Sequence, residues 1–216
     1  MLAAPRELQH VSAAPHELVH ELVHEPISLG GSFRDVLQPC SSETEVEKRL
    51  KRDLLRAAYR GDWPSANAIL DKNPEFIRRP ITKEEDTVLH NAVAAKQTTF
   101  VTELLKLEQM TERDLEIESI YKFTALHVAA ETGDVKMAKE IVKKNNKLPL
   151  MNDLRNVKPL LIAADLGHRD MVSYLLDVTP FERLTTDERF DLLLASISTD
   201  LYGMSYVLLI AFRQYG

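Results

Sequence analysis

A ten-residue stretch recurs along this chain at nearly constant spacing, and the recurrence restricts the possible folds more than any other feature. Residues 124–133 read TALHVAAETG, and residues 87–93 read TVLHNAV. Residues 158–168, KPLLIAADLGH, keep the same pattern of apolar and small side chains, and residues 54–62, LLRAAYRGD, form a fainter copy. A sequence that repeats itself in this way folds into similar units, each formed from one copy.

The four copies are separated by similar intervals. At the position of the histidine they have Leu55, His90, His127 and Leu161, which are 35, 37 and 34 residues apart. A period in the low thirties that carries T-x-L-H-x-A resembles the ankyrin repeat, whose unit is a turn followed by two helices. The resemblance implies an all-α solenoid of about four to five helix-turn-helix repeats, because one helix pair cannot bury its apolar face alone.

Apolar side chains recur at three- and four-residue steps from about Val46 onward, which predicts a continuous series of helices. We therefore expect an ankyrin-repeat domain over residues 45–212. Its repeats are predicted near residues 52–82, 83–119, 120–153 and 154–185, with a degenerate repeat at 186–212. Gly61 should end the first helix, and Pro64 should lie in the first turn of the second, where proline is tolerated.

The predicted last repeat begins with a cap and ends with an apolar segment. Thr185 offers an N-cap for a helix that runs through Ile197, and Gly203 should end that helix. Residues 206–212 read YVLLIAF and are expected to form a further apolar helix or the start of one. A terminal repeat normally presents a polar outer face. We therefore expect this segment either to pack imperfectly on the fourth repeat or to belong to a longer architecture.

Residues 1–44 differ in character from the rest of the chain. The segment AAPRELQH at residues 3–10 is echoed by AAPHELVH at residues 13–20, and ELVH then repeats at once. Such low-complexity duplication does not specify a folded domain. We expect a mostly disordered leader, in which Pro26 and Pro39 interrupt any helix that forms.

The duplication produces two H-E-x-x-H motifs, at residues 16–20 and 20–24. On a helix this spacing places two imidazoles on one face, where they can share a zinc ion, with the glutamate as general base. A catalytic zinc also needs a third protein ligand and an enclosed cavity, which this segment is not expected to form. The interpretations are incidental duplication, adventitious binding of zinc or nickel, and, as a remote alternative, a zinc-dependent hydrolase. We expect no metal site and no cofactor.

Composition argues against several functional classes. The formal net charge of −6 argues against a nucleic-acid-binding surface. The basic run KRLKR at residues 48–52 is interpreted as a solvated first helical turn, since Glu45 and Glu47 dilute its charge; a nuclear signal or an anion site is the alternative. Cys40 is the only cysteine, so no intrachain disulfide can form, which fits a reducing compartment.

The sequence also lacks the usual membrane signals. His and Glu interrupt the first 25 residues every few positions, which is not the pattern of a secretory signal peptide. No window approaches the roughly 20 apolar residues that span a bilayer. As written, the chain is expected to be cytoplasmic.

Five short segments narrow the resemblance beyond ankyrin repeats in general. They are RGDW at residues 60–63, LDKNPE at 70–75, ITK at 81–83, GHRDMV at 167–172 and TDLY at 199–202. Over residues 48–212 the chain resembles the plant ankyrin-repeat membrane proteins, which join an N-terminal ankyrin array to a C-terminal membrane region with a Pro-Gly-Gly signature. The resemblance implies an ankyrin fold and protein partners, with the full-length relatives at the plasma membrane. Membrane association of this chain is expected only indirectly or through a region absent here.

The resemblance also assigns structural roles. In ankyrin repeats the Thr and His of T-x-L-H hydrogen-bond within and between repeats and fix the start of the first helix. The residues at the matching positions are Thr87, His90, Thr124 and His127, with Gly133 and Gly167 at the turns between helices. In the fourth copy the pair is Lys158 and Leu161, so we expect that hydrogen bond to be missing.

Several glycines of the ankyrin pattern are replaced. The hairpin tips normally have glycine two residues before the Thr, where φ is positive. Here the corresponding residues are Glu85, Lys122 and Asn156, and Lys96 replaces the glycine between the helices of the second repeat. Only Asn tolerates this conformation well. We predict loosened hairpin tips and a marginally stable array.

These features favour a non-catalytic protein–protein interaction scaffold, and the family resemblance implies a place in plant signalling or stress responses. The sequence shows no glycine-rich phosphate loop, nucleophile elbow or paired-carboxylate cleft, so we expect neither an enzyme nor a small-molecule substrate. The candidate binding residues lie at the predicted hairpin tips: Glu84, Tyr121, Lys122, Phe123 and Arg155. Exposed aromatic side chains are common anchors, and burial between neighbouring tips is the alternative for Tyr121 and Phe123. The alternative function is a truncated or dominant-negative fragment of a membrane-anchored ankyrin protein.

Overall fold

The computed structural model describes residues 43–199. Over this range it contains nine α-helices and no β-strand. The α-helices are α1 (Glu45–Arg60), α2 (Trp63–Leu70), α3 (Val88–Ala94), α4 (Thr98–Lys106), α5 (Ala125–Thr132), α6 (Val135–Lys144), α7 (Pro159–Asp165), α8 (Arg169–Val178) and α9 (Thr186–Ser198). Short 3-10 helices lie at Pro74–Ile77, Glu112–Glu116, Leu148–Leu150 and Phe181–Arg183. The predicted all-α class is therefore confirmed.

The helices are arranged in two rows. The odd-numbered helices form one row, in which α1 packs on α3, α3 on α5, α5 on α7 and α7 on α9. The first four of them, α1, α3, α5 and α7, are each paired with the helix that follows. In the second row, α4, α6 and α8 pack in succession. Contacts join mainly neighbouring pairs, so the core is continuous along the stack, as expected for a solenoid.

Local sequence signals explain where the helices begin and end. Gly61 ends α1 with φ of 69°, as predicted, and donates its N–H to a carbonyl oxygen of that helix. Pro64 lies in the first turn of α2, where a missing N–H costs nothing. The N-cap predicted at Thr185 is confirmed, because its side chain accepts a hydrogen bond from the N–H of Glu188 while the Glu188 carboxylate accepts one from Thr185.

Small side chains on the odd-numbered helices let the two rows approach closely. The buried alanines of this row are Ala57, Ala58, Ala92, Ala125, Ala129, Ala130, Ala163, Ala164 and Ala195. The second row contributes larger side chains, among them Phe100, Leu104 and Ile141, each at most 1% exposed. The ring of Trp63 meets that of Phe100 edge to face, with 5.3 Å between centroids. Truncating such a core side chain to alanine typically costs about 2–5 kcal/mol.

Within residues 43–199, four residues other than glycine adopt the left-handed conformation, and they are the four at which the ankyrin pattern has glycine. Their φ angles are 63° at Glu85, 56° at Lys96, 56° at Lys122 and 62° at Asn156. Steric contact of Cβ with the following carbonyl oxygen makes this conformation cost about 1–2 kcal/mol for most residues. The alignment of the turns with the ankyrin pattern is therefore confirmed. The tips nevertheless keep their closing hydrogen bonds, so the loosening predicted for them is not seen. The marginal stability inferred with it stays a prediction.

Several sequence predictions concern residues outside the described range. They are the leader with its duplicated segments and H-E-x-x-H motifs, Cys40, the helix end at Gly203 and the apolar segment at 206–212. Within residues 43–199, no helix combines the length and apolar character needed to cross a bilayer.

Candidate partner-binding surface

Three hairpin tips project from the stack immediately before α3, α5 and α7, at residues 82–87, 119–124 and 153–158. Each tip is closed by a hydrogen bond from the left-handed residue to the carbonyl oxygen three positions earlier. The donor N and acceptor O are 3.4 Å apart for Glu85 and Thr82, 2.9 Å for Lys122 and Ser119, and 3.0 Å for Asn156 and Asp153. The three tips thus share one geometry although their side chains differ.

Backbone hydrogen bonds also join each tip to the next. The N–H of Ile120 donates to the carbonyl oxygen of Glu84, and the N–H of Leu154 donates to that of Tyr121, both at 2.9 Å. Neighbouring tips therefore hold a fixed relative position. Side chains that project from equivalent positions of successive tips form one surface.

The predicted Thr–His pairs form hydrogen bonds at the base of these tips. The Nδ1 atom of His90 accepts from the N–H of Thr87 at 3.3 Å and lies 2.8 Å from the Thr87 hydroxyl. Because Nδ1 accepts, the proton of the neutral ring lies on Nε2, which donates to the carbonyl oxygen of Phe123 at 2.9 Å. His90 therefore ties the start of α3 to the next hairpin tip.

His127 repeats only half of this arrangement. Its Nδ1 atom accepts from the N–H of Thr124 at 3.1 Å and lies 2.9 Å from the Thr124 hydroxyl. Its buried Nε2 atom has no partner in good hydrogen-bond geometry among residues 43–199. Burial lowers the pKa of both His90 and His127 to about 4. Both rings are neutral near pH 7, which suits structural hydrogen bonding and not proton transfer.

A buried ion pair replaces the Thr–His pair in the fourth copy. Lys158 donates from Nζ to the carboxylate of Glu188, and both side chains are largely buried between α7 and α9. Burial opposes ionisation of Glu188, but the hydrogen bond from Lys158 still lowers its pKa. The sequence correctly predicted the loss of the Thr–His hydrogen bond and missed its replacement, because the two residues are 30 positions apart.

The predicted site residues divide into exposed and half-buried groups. Glu84, Lys122 and Arg155 are exposed at the tips, and Tyr121 is half-buried. Phe123 is also half-buried: it packs against the core, and its ring stacks on His127 with 5.4 Å between centroids. The alternative considered for Phe123, burial, describes its position better than exposure.

Arg155 is held by an intramolecular partner. Its guanidinium donates from Nε and Nη2 to the Asp153 carboxylate, at 3.0 and 2.9 Å. The same carboxylate accepts from the N–H groups of Arg155 and Val157 at 2.8 Å each. The positive charge of Arg155 is thus fixed in place at the third tip.

The tips expose two apolar residues that the sequence analysis did not select. Ile120 is 46% exposed and Leu154 is 61% exposed, and they occupy equivalent positions of consecutive tips. In the first tip the equivalent residue is Lys83, which is also exposed. The signal that could have identified them is the alignment of the tips. Aromatic character, the other indicator of a binding anchor, does not apply to these aliphatic side chains.

A comparison with known protein families identifies the fold. The model for ankyrin repeats in three copies matches residues 54–151 and 89–187, together more than half of the chain. The chain is an ankyrin-repeat protein. Its repeats support a role in protein–protein interaction, and ankyrin modules are typically non-catalytic.

Two relatives are similar over part of their length. NAD-dependent deacetylase sir2B of Dictyostelium discoideum is 31% identical over 134 residues, which are 59% of this ankyrin chain and 16% of that protein. The probable E3 ubiquitin-protein ligase XBOS31 of Oryza sativa subsp. japonica is 28% identical over 137 residues, 63% of this chain and 29% of the ligase. The chain therefore spans less than a third of the length of either relative.

Proposed function

We propose that this ankyrin-repeat chain is a non-catalytic scaffold that binds a partner protein at its hairpin tips. The tip surface consists of Ile120, Tyr121 and Leu154, with Lys122 and Arg155 at its rim. The observation that carries the proposal is the exposure of two large apolar side chains at equivalent positions of neighbouring tips. Burial of such side chains by a partner stabilises the complex, and charged residues at the rim favour the correct orientation.

The tip surface is held in place before any partner arrives. Hydrogen bonds between tips fix Ile120 and Leu154 relative to one another, and His90 fastens the second tip to α3. A rigid surface loses little conformational freedom on binding, so more of the contact energy contributes to affinity. Tyr121 adds an aromatic side chain beside the two aliphatic ones, whereas Phe123 mainly supports the tip from inside.

The biological setting is a proposal drawn from similarity. The resemblance of residues 60–63 and 167–172 to the plant membrane-anchored ankyrin proteins, together with the rice relative, supports a role in plant signalling or stress responses. We propose the cytoplasm as the compartment. The second candidate is a fragment that interferes with longer membrane-anchored relatives, and the same resemblance supports it.

Affinity capture with the full chain tests the tip surface. Soluble and membrane extracts are captured separately on the wild type, on Ile120→Ser/Leu154→Ser, and on the control Val46→Ser/Leu166→Ser. The control removes the same kind of exposed apolar side chain elsewhere, since Val46 is 67% and Leu166 38% exposed. We expect one partner that is retained by the control and lost from the tip variant.

Other results would change the conclusion. A partner retained equally by both variants would place binding outside the tips. Capture of only longer ankyrin relatives from the membrane extract would favour the interfering fragment. Circular dichroism of each variant verifies that the fold is kept.

A further inference from the structure

A groove of about 900 Å³ lies at the other end of the described stack from α9. One wall is α1, and the other is the chain around the first hairpin tip, residues 81–84. The groove is separate from the tip surface, which lies on the second and third tips. Lys48, Lys51 and Arg52 of the basic run at residues 48–52 line it. From the sequence this run was interpreted as a solvated helical turn, with a nuclear signal or an anion site as the alternative.

The walls of the groove carry an excess of basic side chains. They include Lys48, Lys51, Arg52 and Lys83, against the acidic Glu43, Glu45 and Glu84. Lys48 pairs with Glu45 at 2.9 Å, and Lys51 pairs with Glu43. Arg52 and Lys83 form no ion pair or hydrogen bond with residues 43–199, and both are exposed. Arg52 also interacts electrostatically with Glu45, but neither it nor Lys83 is held in an ion pair. Both cations can therefore contact a ligand, on a chain whose net charge is −6.

The positive charge continues along α1. Arg56 lies one turn after Arg52 on the same face of the helix, and its side chain is 61% exposed. Arg56 and Arg49 share one acidic neighbour, Asp53, at 3.4 and 3.8 Å. Exposed pairs of this kind are weak, so the arginines remain available to an anionic partner.

Apolar side chains form the floor of the groove. Ile81 is 7% exposed and Leu55 is half-buried, so a ligand in the groove would touch a hydrophobic surface between charged walls. Tyr59 is 54% exposed at one side and offers an aromatic ring with a hydroxyl group. A ligand that matches this groove has both carboxylates and apolar groups.

We propose that this groove binds an acidic peptide segment of a partner protein, with Arg52 and Lys83 contacting its carboxylates and Leu55, Tyr59 and Ile81 its apolar side chains. The inference rests on the proposed function and adds a second contact to it. A concave groove with an apolar floor fits a peptide better than a flat membrane surface. Glu45 and Glu43 on its walls are already paired with Lys48 and Lys51, so the cations without an ion pair are confined to Arg52 and Lys83. Two localised cations suit a short acidic segment better than the extended charge of an anionic bilayer or a nucleic acid.

A peptide array tests the proposal with the full chain. The probes are peptides of about ten residues, about four of them Asp or Glu and the rest including Leu or Tyr, beside the same peptides with Asn and Gln in place of the acids. We expect the wild type to prefer acidic over amide peptides by about ten-fold. The preference should fall with rising salt, since the cations are exposed.

Two charge-reversal variants supply the comparison. Arg52→Glu/Lys83→Glu should lose the preference. The control Lys136→Glu/Lys143→Glu makes the same change in net charge at exposed positions of α6 and should keep it. An equal affinity for acidic and amide peptides, or an equal loss in both variants, would overturn the proposal. Stronger binding to phosphatidylserine vesicles than to any peptide, lost in the groove variant, would also overturn it in favour of a lipid site.

The tip variant separates this inference from the proposed function. Ile120→Ser/Leu154→Ser should retain the preference for acidic peptides, because neither residue lines the groove. If the groove binds no acidic peptide but the partner is still lost from the tip variant, the groove proposal fails and the tip surface stands. If acidic peptides bind at the groove and no partner depends on the tips, the proposed tip function fails.

Discussion

Restoring glycine at the strained hairpin tips should stabilise the protein. Glu85 and Lys122 hold φ angles of 63° and 56°, and no hydrogen bond or ion pair of their side chains to residues 43–199 would be lost. The closing hydrogen bonds use the backbone N–H, which glycine keeps. The variant Glu85→Gly/Lys122→Gly therefore removes the steric cost and leaves the turns intact.

The expected gain follows from two opposing terms. Relief of the left-handed strain is worth about 1–2 kcal/mol for each residue, while glycine adds unfolded-state entropy that costs about 0.4–1 kcal/mol. The net gain is about 0.5–1 kcal/mol at each tip. The two sites share no side-chain partner, so the double variant should gain about 1–2 kcal/mol. For a chain of this size that raises Tm by about 3–6 °C.

Differential scanning calorimetry of the full chain measures the effect, with two comparisons. Lys83→Gly lies in the same tip as Glu85 but has a negative φ, so it should lower Tm. Asn156→Gly should gain less than either single variant, because Asn tolerates the left-handed conformation. The assignment of strain to these tips would be refuted if the double variant had an unchanged or lower Tm. It would also be refuted if Lys83→Gly raised Tm as much as the double variant does.

Three further predictions follow from buried polar groups and a close backbone contact. The unfolded histidines protonate at about pH 6.5, whereas His90 and His127 in the folded protein stay neutral to about pH 4. The free energy of unfolding should therefore fall between pH 6.5 and pH 4, by about 1.4 kcal/mol per pH unit for each histidine. His90→Asn should show a shallower fall, and a Tm that is constant down to pH 4.5 would contradict the prediction. Lys158→Met should cost about 3 kcal/mol or more, because it leaves the buried Glu188 carboxylate without its cation. A urea double-mutant cycle with Glu188→Gln should show strong coupling, and additive effects would contradict this. Gly133→Ala should destabilise the protein by about 2 kcal/mol or more in urea unfolding. The reason is that φ is +72° and the added Cβ would lie 2.9 Å from the ring of His168. An unchanged urea midpoint would argue against that contact.

Features encoded within one repeat could be predicted from the sequence. Gly61 and Thr185 mark helix ends through local backbone chemistry. The left-handed residues of the three tips follow from a fixed offset to the first residue of each copy, and Lys96 follows from the turn between two helices. The period itself predicts the stack, since helix pairs of this length cannot bury their apolar faces alone. For these features, local preference and tertiary structure agree, which is typical of natural sequences.

Features that depend on contacts between repeats were harder to predict from the sequence. The Lys158–Glu188 pair joins two helices, and nothing local in either segment indicates it. The aromatic character of Phe123 suggested exposure at a tip, but stacking on His127 directs the ring inward. The groove likewise combines α1 with a tip about thirty residues later. Its charges are visible in the sequence, whereas the apolar floor between them requires the fold.

Hydrogen–deuterium exchange of the full chain, with and without the captured partner, tests the central claim most directly. The account predicts slower exchange in the partner complex at residues 119–122 and 154–156, with little change on α4, α6 and α8. Ile120→Ser/Leu154→Ser should abolish that protection. Protection confined to the second row of helices, or protection that persists in this variant, would contradict the claim that the hairpin tips bind the partner.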